Sequence, residues 1–192
     1  MQPPNGSFWQ PWHVCPWWLA YTFDNPIRKL FHNPEKILRP YLKEGMTVMD
    51  VGCGMGYFSI GMAKIIGDKG RVFCVDLQPK MLEITQKRAG RVAMAVRIVP
   101  HRCGPGKIGL QEKFDFILVF WMAHEVQDQK AFFTELKSNL ARAGKILIAE
   151  PRMHVSAASF QKTLDIAQST GLHPCGQPVV RFSRTSLLEV RT

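Results

Sequence analysis

The chain has 192 residues, enough for one domain with a well-filled core, and 46% of them are hydrophobic, which argues against a disordered protein. The net charge of +10 arises from 25 Lys and Arg against 15 Asp and Glu, but basic residues never exceed two in a row, which argues against a nucleic-acid-binding tail. Five cysteines without a framework spacing predict free thiols in the reducing cytoplasm, and the lack of an apolar run of about 18 residues argues against a transmembrane helix.

Residues 1–23 contain no Asp, Glu, Lys or Arg, and prolines interrupt them. They therefore do not resemble a targeting signal, which needs a basic start and an apolar helix. Four of the five tryptophans lie in this segment, at Trp9, Trp12, Trp17 and Trp18. Three interpretations fit them: filling of the core, a lid that supplies aromatic walls to an active site, or contact with a membrane interface.

Beyond this segment, strand and helix patterns alternate along the chain. Apolar runs predict five strands, at residues 47–51, 71–75, 95–99, 114–120 and 145–149. Helical spacing, with proline or polar residues near the start and glycine near the end, predicts five helices, at residues 34–43, 57–66, 79–89, 128–141 and 156–169. Two final extended runs, at 178–182 and 186–191, predict an antiparallel pair.

This alternation predicts a mostly parallel sheet with helices on both faces. In such sheets, ligands bind at the carboxyl ends of the strands. The chemistry is therefore expected in the segments that start at Asp50, Asp76, Pro100, Phe120 and Glu150.

A glycine cluster follows the first predicted strand, with Gly52, Gly54 and Gly56 at alternate positions. Glycines there let the backbone turn sharply and approach a ligand closely. The cluster is not a dinucleotide-binding fingerprint, because Tyr57 stands where the third glycine would be needed. It is not a phosphate-binding P-loop either, because no Lys-Ser/Thr pair follows.

Asp76 ends the second predicted strand, 24 residues after Gly52. A carboxylate at this position accepts hydrogen bonds from the two hydroxyls of a ribose. Leu77 is placed to pack on a purine, and Asp50 is placed to pair with an amine or to hold the turning backbone. Together these residues predict a nucleoside ligand.

With these features the chain resembles the class I S-adenosylmethionine-dependent methyltransferases. The resemblance rests on the motifs DVGCGMG at 50–56, VDL at 75–77, FDFILVFWMAHEV at 114–126 and LARAGKILIAEP at 140–151. It implies a three-layer Rossmann-like α/β fold, with a mostly parallel seven-stranded sheet whose last strand is antiparallel. It also implies S-adenosylmethionine as the cofactor. The cofactor-binding residues are then expected at Asp50, Gly52, Cys53, Gly54, Gly56, Tyr57, Asp76, Leu77, Cys103 and Phe120.

One segment departs from the family pattern. Members often carry an acidic residue after the third strand that binds the adenine amino group, whereas residues 100–104 contain no carboxylate. Adenine recognition is therefore expected from backbone groups or from Cys103 and its neighbours. Residues 100–113 are also too short and too rich in glycine for a full helix.

His124 and Glu125 follow the fourth predicted strand and are the candidate catalytic residues. A histidine there is a candidate general base, because its usual pKa suits neutral pH. Methyl transfer is a direct displacement in which positioning supplies much of the rate, so the alternative is that these residues order a loop or the cofactor. His154, after the fifth predicted strand, is a second candidate.

Histidine and cysteine also occur two residues apart three times, a spacing that raises the question of a metal site. The pairs are His13/Cys15, His101/Cys103 and His173/Cys175. The second pair follows a strand and the third is expected to precede one, so they are predicted to lie at opposite ends of the sheet, and no metal site is predicted. Cys53 and Cys74 are predicted to be small buried residues.

These patterns predict a cytoplasmic S-adenosylmethionine-dependent methyltransferase that acts on a small, apolar or aromatic molecule by direct methyl displacement. Residues 1–33 are expected to form an aromatic lid, and residues 34–192 the S-adenosylmethionine-binding methyltransferase domain. Two alternatives stay open. One is an RNA methyltransferase, which the diffuse charge does not favour, and the other is a non-catalytic cofactor-binding partner subunit.

Overall fold

The structure is a computed structural model that describes residues 28–191. Within them, residues 28–102 belong to one compact unit and residues 103–191 to a second. The four clustered tryptophans and most of the predicted lid lie outside the described residues. In the part of the chain that is described, no helix has the length and apolar character needed to cross a membrane.

The first unit builds a parallel half-sheet with its connecting helices. Its strands are β1 (Thr47–Val51), β2 (Arg71–Asp76) and β3 (Ile98–Arg102), and β2 pairs in parallel with both neighbours. Its helices are α1 (Arg28–Phe31), α2 (Pro34–Leu38), α3 (Tyr57–Ile66) and α4 (Pro79–Arg91), and a 3-10 turn spans Ala95–Arg97.

The second unit contains four strands, with both parallel and antiparallel pairings. Its strands are β4 (Phe114–Phe120), β5 (Leu140–Pro151), β6 (Leu172–Gly176) and β7 (Ser183–Val190). Its helices are α5 (Gln129–Asn139) and α6 (Ala157–Ser169), and a 3-10 turn spans Ala123–Glu125. Strand β4 pairs in parallel with β5, whereas β7 runs antiparallel to both β5 and β6.

The seven strands have the order β3-β2-β1-β4-β5-β7-β6. The predicted fold class is therefore confirmed: a Rossmann-like α/β fold with a mostly parallel seven-stranded sheet and an antiparallel last strand. The apolar run at 114–120 forms strand β4, in which six of the seven residues are buried. A strand covered on both faces needs such a run.

Polar caps begin three helices close to where the sequence predicts them. The side chains of Asn33, Asp128 and Ser156 accept backbone N–H groups in the first turns of α2, α5 and α6. Each cap satisfies a donor that has no partner within its helix. At the other end of α6, Gly171 adopts φ +90°, a conformation that favours glycine.

The structure places two predicted strands differently. Residues 95–97 form a 3-10 turn, and β3 spans Ile98–Arg102. The strand predicted at 95–99 therefore starts three residues too early. The prediction of a strand at 178–182 is wrong, because β6 lies at Leu172–Gly176. The apolar pair at Val179 and Val180 misleads, since Val179 is 98% exposed and lies outside any strand. The true edge strand has only one buried residue, Leu172, and so lacks an apolar run.

Candidate functional site

The loop after β1 is shaped by its three glycines. Gly52, Gly54 and Gly56 adopt φ values of +69°, +52° and +76°, a region that residues with a Cβ enter only at a cost. The N–H groups of Gly52 and Cys53 donate to the Val75 carbonyl of β2 at 2.8 and 3.1 Å. The loop is therefore tied to the end of the neighbouring strand.

Asp76 connects this loop to the chain after β2. Its Oδ2 accepts the Gly54 N–H at 3.0 Å, and its Oδ1 accepts the Gln78 N–H at 2.9 Å. Burial raises the pKa of Asp76 to about 6, although hydrogen bonds from the backbone of Gln78, Gly54 and Leu77 oppose the rise. These backbone donors leave part of the capacity of the carboxylate, which has roughly four acceptor sites, for hydroxyl donors.

Three residues that the sequence did not single out hold the loop or the strand end before it. Thr85 Oγ1 of α4 donates to the Gly54 carbonyl at 3.0 Å, and an Nη nitrogen of Arg88 donates to the Met55 carbonyl at 3.1 Å. Ser59 Oγ donates to Asp50 Oδ2 at 2.5 Å in a fully buried pair. Polar residues inside otherwise apolar helix faces are the signal that could have revealed them.

The loop also leaves room for a ligand. A Cβ built on Gly54 would meet no described atom within 4 Å, so open space lies on that side of the backbone. An uncovered glycine backbone beside a carboxylate with spare acceptor sites fits a ligand that carries hydroxyl groups. The residues therefore fit the nucleoside that the sequence predicts.

The other predicted residues of this unit differ in exposure. Cys53 is buried, and its interaction with Cys74, its burial and the nearby carboxylates raise the pKa of its thiol, which keeps it protonated. Tyr57 Oη donates to the His32 carbonyl at 3.0 Å, so its hydroxyl holds the segment before α2. Leu77 is half-buried beside Asp76.

We expect Gly56→Ala to destabilise the protein by about 2 kcal/mol or more. A Cβ at Gly56 would lie 2.5 Å from Thr85 Cγ2, and the left-handed backbone itself costs roughly 1–2 kcal/mol for an alanine. The free energy of unfolding in urea measures the effect. Gly90→Ala in α4 is the control, since its Cβ meets nothing and should stabilise the helix by about 0.5–1 kcal/mol. An unchanged unfolding midpoint for Gly56→Ala would contradict this account.

In the second unit, the end of β5 organises the turn after β4. Glu150 is 1% exposed, and its Oε1 accepts the Ala123 N–H at 2.9 Å. Its Oε2 pairs with Nδ1 of His124 in a short contact. A carboxylate only accepts, so Nδ1 carries the proton and Nε2 of a neutral His124 is left as an acceptor.

The surroundings of His124 shift its titration. Partial burial pulls the pKa of His124 down, but the hydrogen bond and charge of Glu150, together with the charge of Glu125, outweigh burial and raise it above its usual value. Glu150 was not among the predicted site residues. The signal that could have revealed it is its place, as an acidic residue, at the end of an apolar strand. Glu125 is half-buried in the same turn, and His154 lies exposed after β5.

Two aromatic residues end β4. Phe120 is buried and stacks on Trp121, with ring centroids 5.4 Å apart. Trp121 adopts φ +59°, a conformation that costs roughly 1–3 kcal/mol for a residue other than glycine. Its N–H donates to the Ala149 carbonyl at 2.7 Å, and its Nε1 donates to Ser183 Oγ at 2.9 Å. These bonds hold the indole ring in place.

The segment after β3 forms no helix, as the sequence predicts. Cys103 is buried directly after β3, and Gly104 pairs with Lys107 in a tight turn. His101 lies within β3, and His173 and Cys175 lie within β6 rather than before a parallel strand. Among the described residues, no group of three potential ligands is arranged to hold a metal.

The strand order, with a glycine loop after β1 and a buried acid ending β2, defines a class I methyltransferase fold. Residues 42–175 match the family described as "Methyltransferase domain". The match covers more than half of the chain, which belongs to this family. The predicted class, the S-adenosylmethionine-dependent methyltransferases with S-adenosylmethionine as their cofactor, is therefore confirmed.

Relatives and solved structures agree with this family. The chain is 28% identical over 107 residues to the protein-L-isoaspartate O-methyltransferase of Thermotoga maritima, covering 56% of this chain and 32% of the relative. It is 37% identical over 156 residues to the ribosomal protein L11 methyltransferase of Dictyoglomus turgidum, covering 81% and 44%. The chain thus spans between about a third and a half of the length of these relatives.

A crystal structure of a SAM-dependent methyltransferase from Aquifex aeolicus has the same fold. Its TM-score against this chain is 0.83 at 23% identity, and the alignment covers 93% of this chain and 100% of that one.

Proposed function

We propose that the protein transfers a methyl group from S-adenosylmethionine to a small, aromatic or apolar acceptor and that His124 takes up the proton the acceptor releases. The observation that carries this proposal is the buried carboxylate of Glu150, which holds His124 by Nδ1 and the turn by the Ala123 N–H. A histidine fixed in this way presents Nε2 as a proton acceptor.

The first unit would hold the cofactor. The backbone from Gly52 to Gly56, with the Cys53 side chain packed behind it, would line the methionine part, and Asp76 would accept hydrogen bonds from the ribose hydroxyls. Asp50 is buried beneath the loop, where Ser59 keeps it in place. When bound, S-adenosylmethionine supplies an electrophilic methyl group.

The other predicted contacts with the cofactor are inferred from where the residues lie along the chain. In the first unit, Leu77 would contact the adenine and Tyr57 would stand at the start of α3. Glu125 would add negative charge near His124, whose pKa it helps to raise.

The acceptor would be selected in part by residues 1–33. The first 23 of these residues are uncharged and rich in tryptophan, a composition suited to aromatic or apolar surfaces. Four cysteines of the described chain are free thiols, which supports a reducing, cytoplasmic location. RNA is the second candidate acceptor, because the net charge of +10 would attract a polyanion, although the basic residues form no cluster.

Incubation with methyl-labelled S-adenosylmethionine and a fractionated cell extract tests the proposal. We expect label in the small-molecule fraction, and the amount should fall strongly in His124→Gln. Label confined to RNA would favour the second candidate, and label confined to protein would place the activity with the acceptors named for the curated relatives. No transfer into any fraction, despite cofactor binding, would favour a non-catalytic partner subunit.

A further inference from the structure

Ser183 joins two side chains from neighbouring strand ends that the proposed reaction does not yet use. It is the first residue of β7, lies opposite Pro151 of β5 and is 2% exposed. Its Oγ accepts Nε1–H of Trp121 at 2.9 Å, and its carbonyl accepts Nε–H of Arg152 at 3.1 Å. The indole ring and the guanidinium group are therefore both bonded to one buried residue.

The backbone reinforces this arrangement at both positions. The N–H of Arg152 donates to the Phe182 carbonyl at 2.9 Å, and the N–H of Trp121 donates to the Ala149 carbonyl at 2.7 Å. The left-handed conformation of Trp121 turns the chain directly after β4, and the bond to Ser183 fixes the ring that this turn presents. The pairing is thus preorganised rather than an accident of long surface side chains.

Arg152 retains binding capacity. Its Nε is used by Ser183, whereas neither Nη nitrogen has a hydrogen-bond or ion-pair partner within residues 28–191. A guanidinium group with free Nη donors matches the two oxygens of a carboxylate. Trp121 is half-buried, so part of its apolar surface stays accessible to a ring in addition to its contact with Phe120.

The same two strand ends carry the proposed proton acceptor. His124 follows Trp121 by three residues, and Glu150 precedes Arg152 by two. Glu150 uses one oxygen for the Ala123 N–H and the other for His124, so both oxygens of its carboxylate are already hydrogen-bonded in the turn. Two pairs of side chains therefore lie at the same end of the second unit: His124 with Glu150, and Trp121 with Arg152.

We propose that Trp121 and Arg152, held by Ser183, form an acceptor anchor that binds an aromatic ring bearing a carboxylate. This inference rests on the proposed function and refines it, because it adds a negative charge to the aromatic acceptor. The ring packs against the indole, and the carboxylate binds the Nη nitrogens of Arg152.

Calorimetry with matched probes tests the anchor. The protein is saturated with S-adenosylhomocysteine and titrated with 2-naphthoate, neutral 2-naphthylmethanol and 2-naphthyl phosphate. We expect naphthoate to bind at least about tenfold more tightly than naphthylmethanol, as a charge-assisted hydrogen-bonded pair provides. Arg152→Gln should abolish this preference, whereas Arg142→Gln, an exposed arginine in the first half of β5, should keep it.

A second variant separates the ring from the charge. Ser183→Ala removes the acceptor of the indole N–H but keeps the carbonyl that binds Arg152. This variant should weaken the binding of naphthoate and of naphthylmethanol by a similar factor and leave the ratio of their affinities unchanged. Binding of S-adenosylhomocysteine to each variant at the wild-type affinity shows that the variant is folded.

Several results would overturn the anchor. These are equal or absent binding of naphthoate and naphthylmethanol to the wild type, an unchanged preference in Arg152→Gln, and tighter binding of the phosphate than of the carboxylate. Salt-dependent binding of polyuridylate that Arg152→Gln weakens would also overturn it, in favour of RNA. Failure of the wild type to bind S-adenosylhomocysteine would instead contradict the proposed cofactor site.

Discussion

Asp76→Ala is expected to weaken S-adenosylmethionine binding by about 100-fold or more. The variant removes the acceptor for two ribose hydroxyls, and hydrogen bonds to a charged group contribute roughly 1.5–3 kcal/mol each. It also removes the partner of the Gly54 N–H, so the glycine loop loses its tie to the end of β2. Isothermal titration of the cofactor into both proteins measures the effect.

The pH dependence of binding provides an internal check on Asp76. Burial raises its pKa to about 6, so lowering the pH through 6 protonates the carboxyl group and removes acceptor capacity. The affinity of the wild type should therefore fall below about pH 6, whereas that of Asp76→Ala should stay flat. Asp115→Ala removes an exposed acid from β4 and should bind like the wild type. Equal affinities for the wild type and Asp76→Ala would remove Asp76 from the site.

Glu150→Gln is expected to lower the turnover of the transferase by about 100-fold and to leave cofactor affinity unchanged. A glutamine can still accept the Ala123 N–H through its oxygen, but its amide then faces Nδ1 of His124 as a donor. The imidazole must change tautomer and place its proton on Nε2, which can no longer accept one. General base catalysis contributes typically 10²–10⁴-fold, which sets the size of the loss.

The pH profile distinguishes this positioning role from a structural one. Glu150 raises the pKa of His124, so the wild-type rate should rise with pH as the imidazole loses its proton, with a midpoint above the usual histidine value. In Glu150→Gln the midpoint should move down. Glu189→Gln, which alters a surface contact with Lys145, is the control and should change neither rate nor midpoint. A loss of rate with an unchanged profile would count against His124 as the base.

The cofactor loop is the part of the site that local sequence describes best. Three glycines at alternate positions predict a sharp turn of the backbone, and all three adopt positive φ. Asp76 is likewise placed by local pattern, because an acid that ends an apolar strand must lie at the ligand edge of a parallel sheet. The helix caps follow the same logic, since a cap and its N–H partner are three residues apart.

Edge strands and loops were harder to predict. Strand β6 has few buried residues, so it lacks the apolar run that predicts a central strand. The valine pair a few residues later, of which Val179 is exposed and Val180 is buried, misled the assignment. The indole of Trp121 and the side chain of Ser183 bond across 62 residues of chain, a pairing that no spacing in the sequence indicates.

The sequence by itself determined the order of elements, the family and the cofactor loop, because these depend on periodicities and on residues close together in the chain. Only the tertiary structure decided which partner orients His124 and what holds Trp121 and Arg152. The physical reason is register: the parallel pairing of β4 with β5 and the antiparallel pairing of β5 with β7 bring Glu150 and Ser183 to the end of β4. A shift of one residue in either register would turn these side chains to the other face of the sheet.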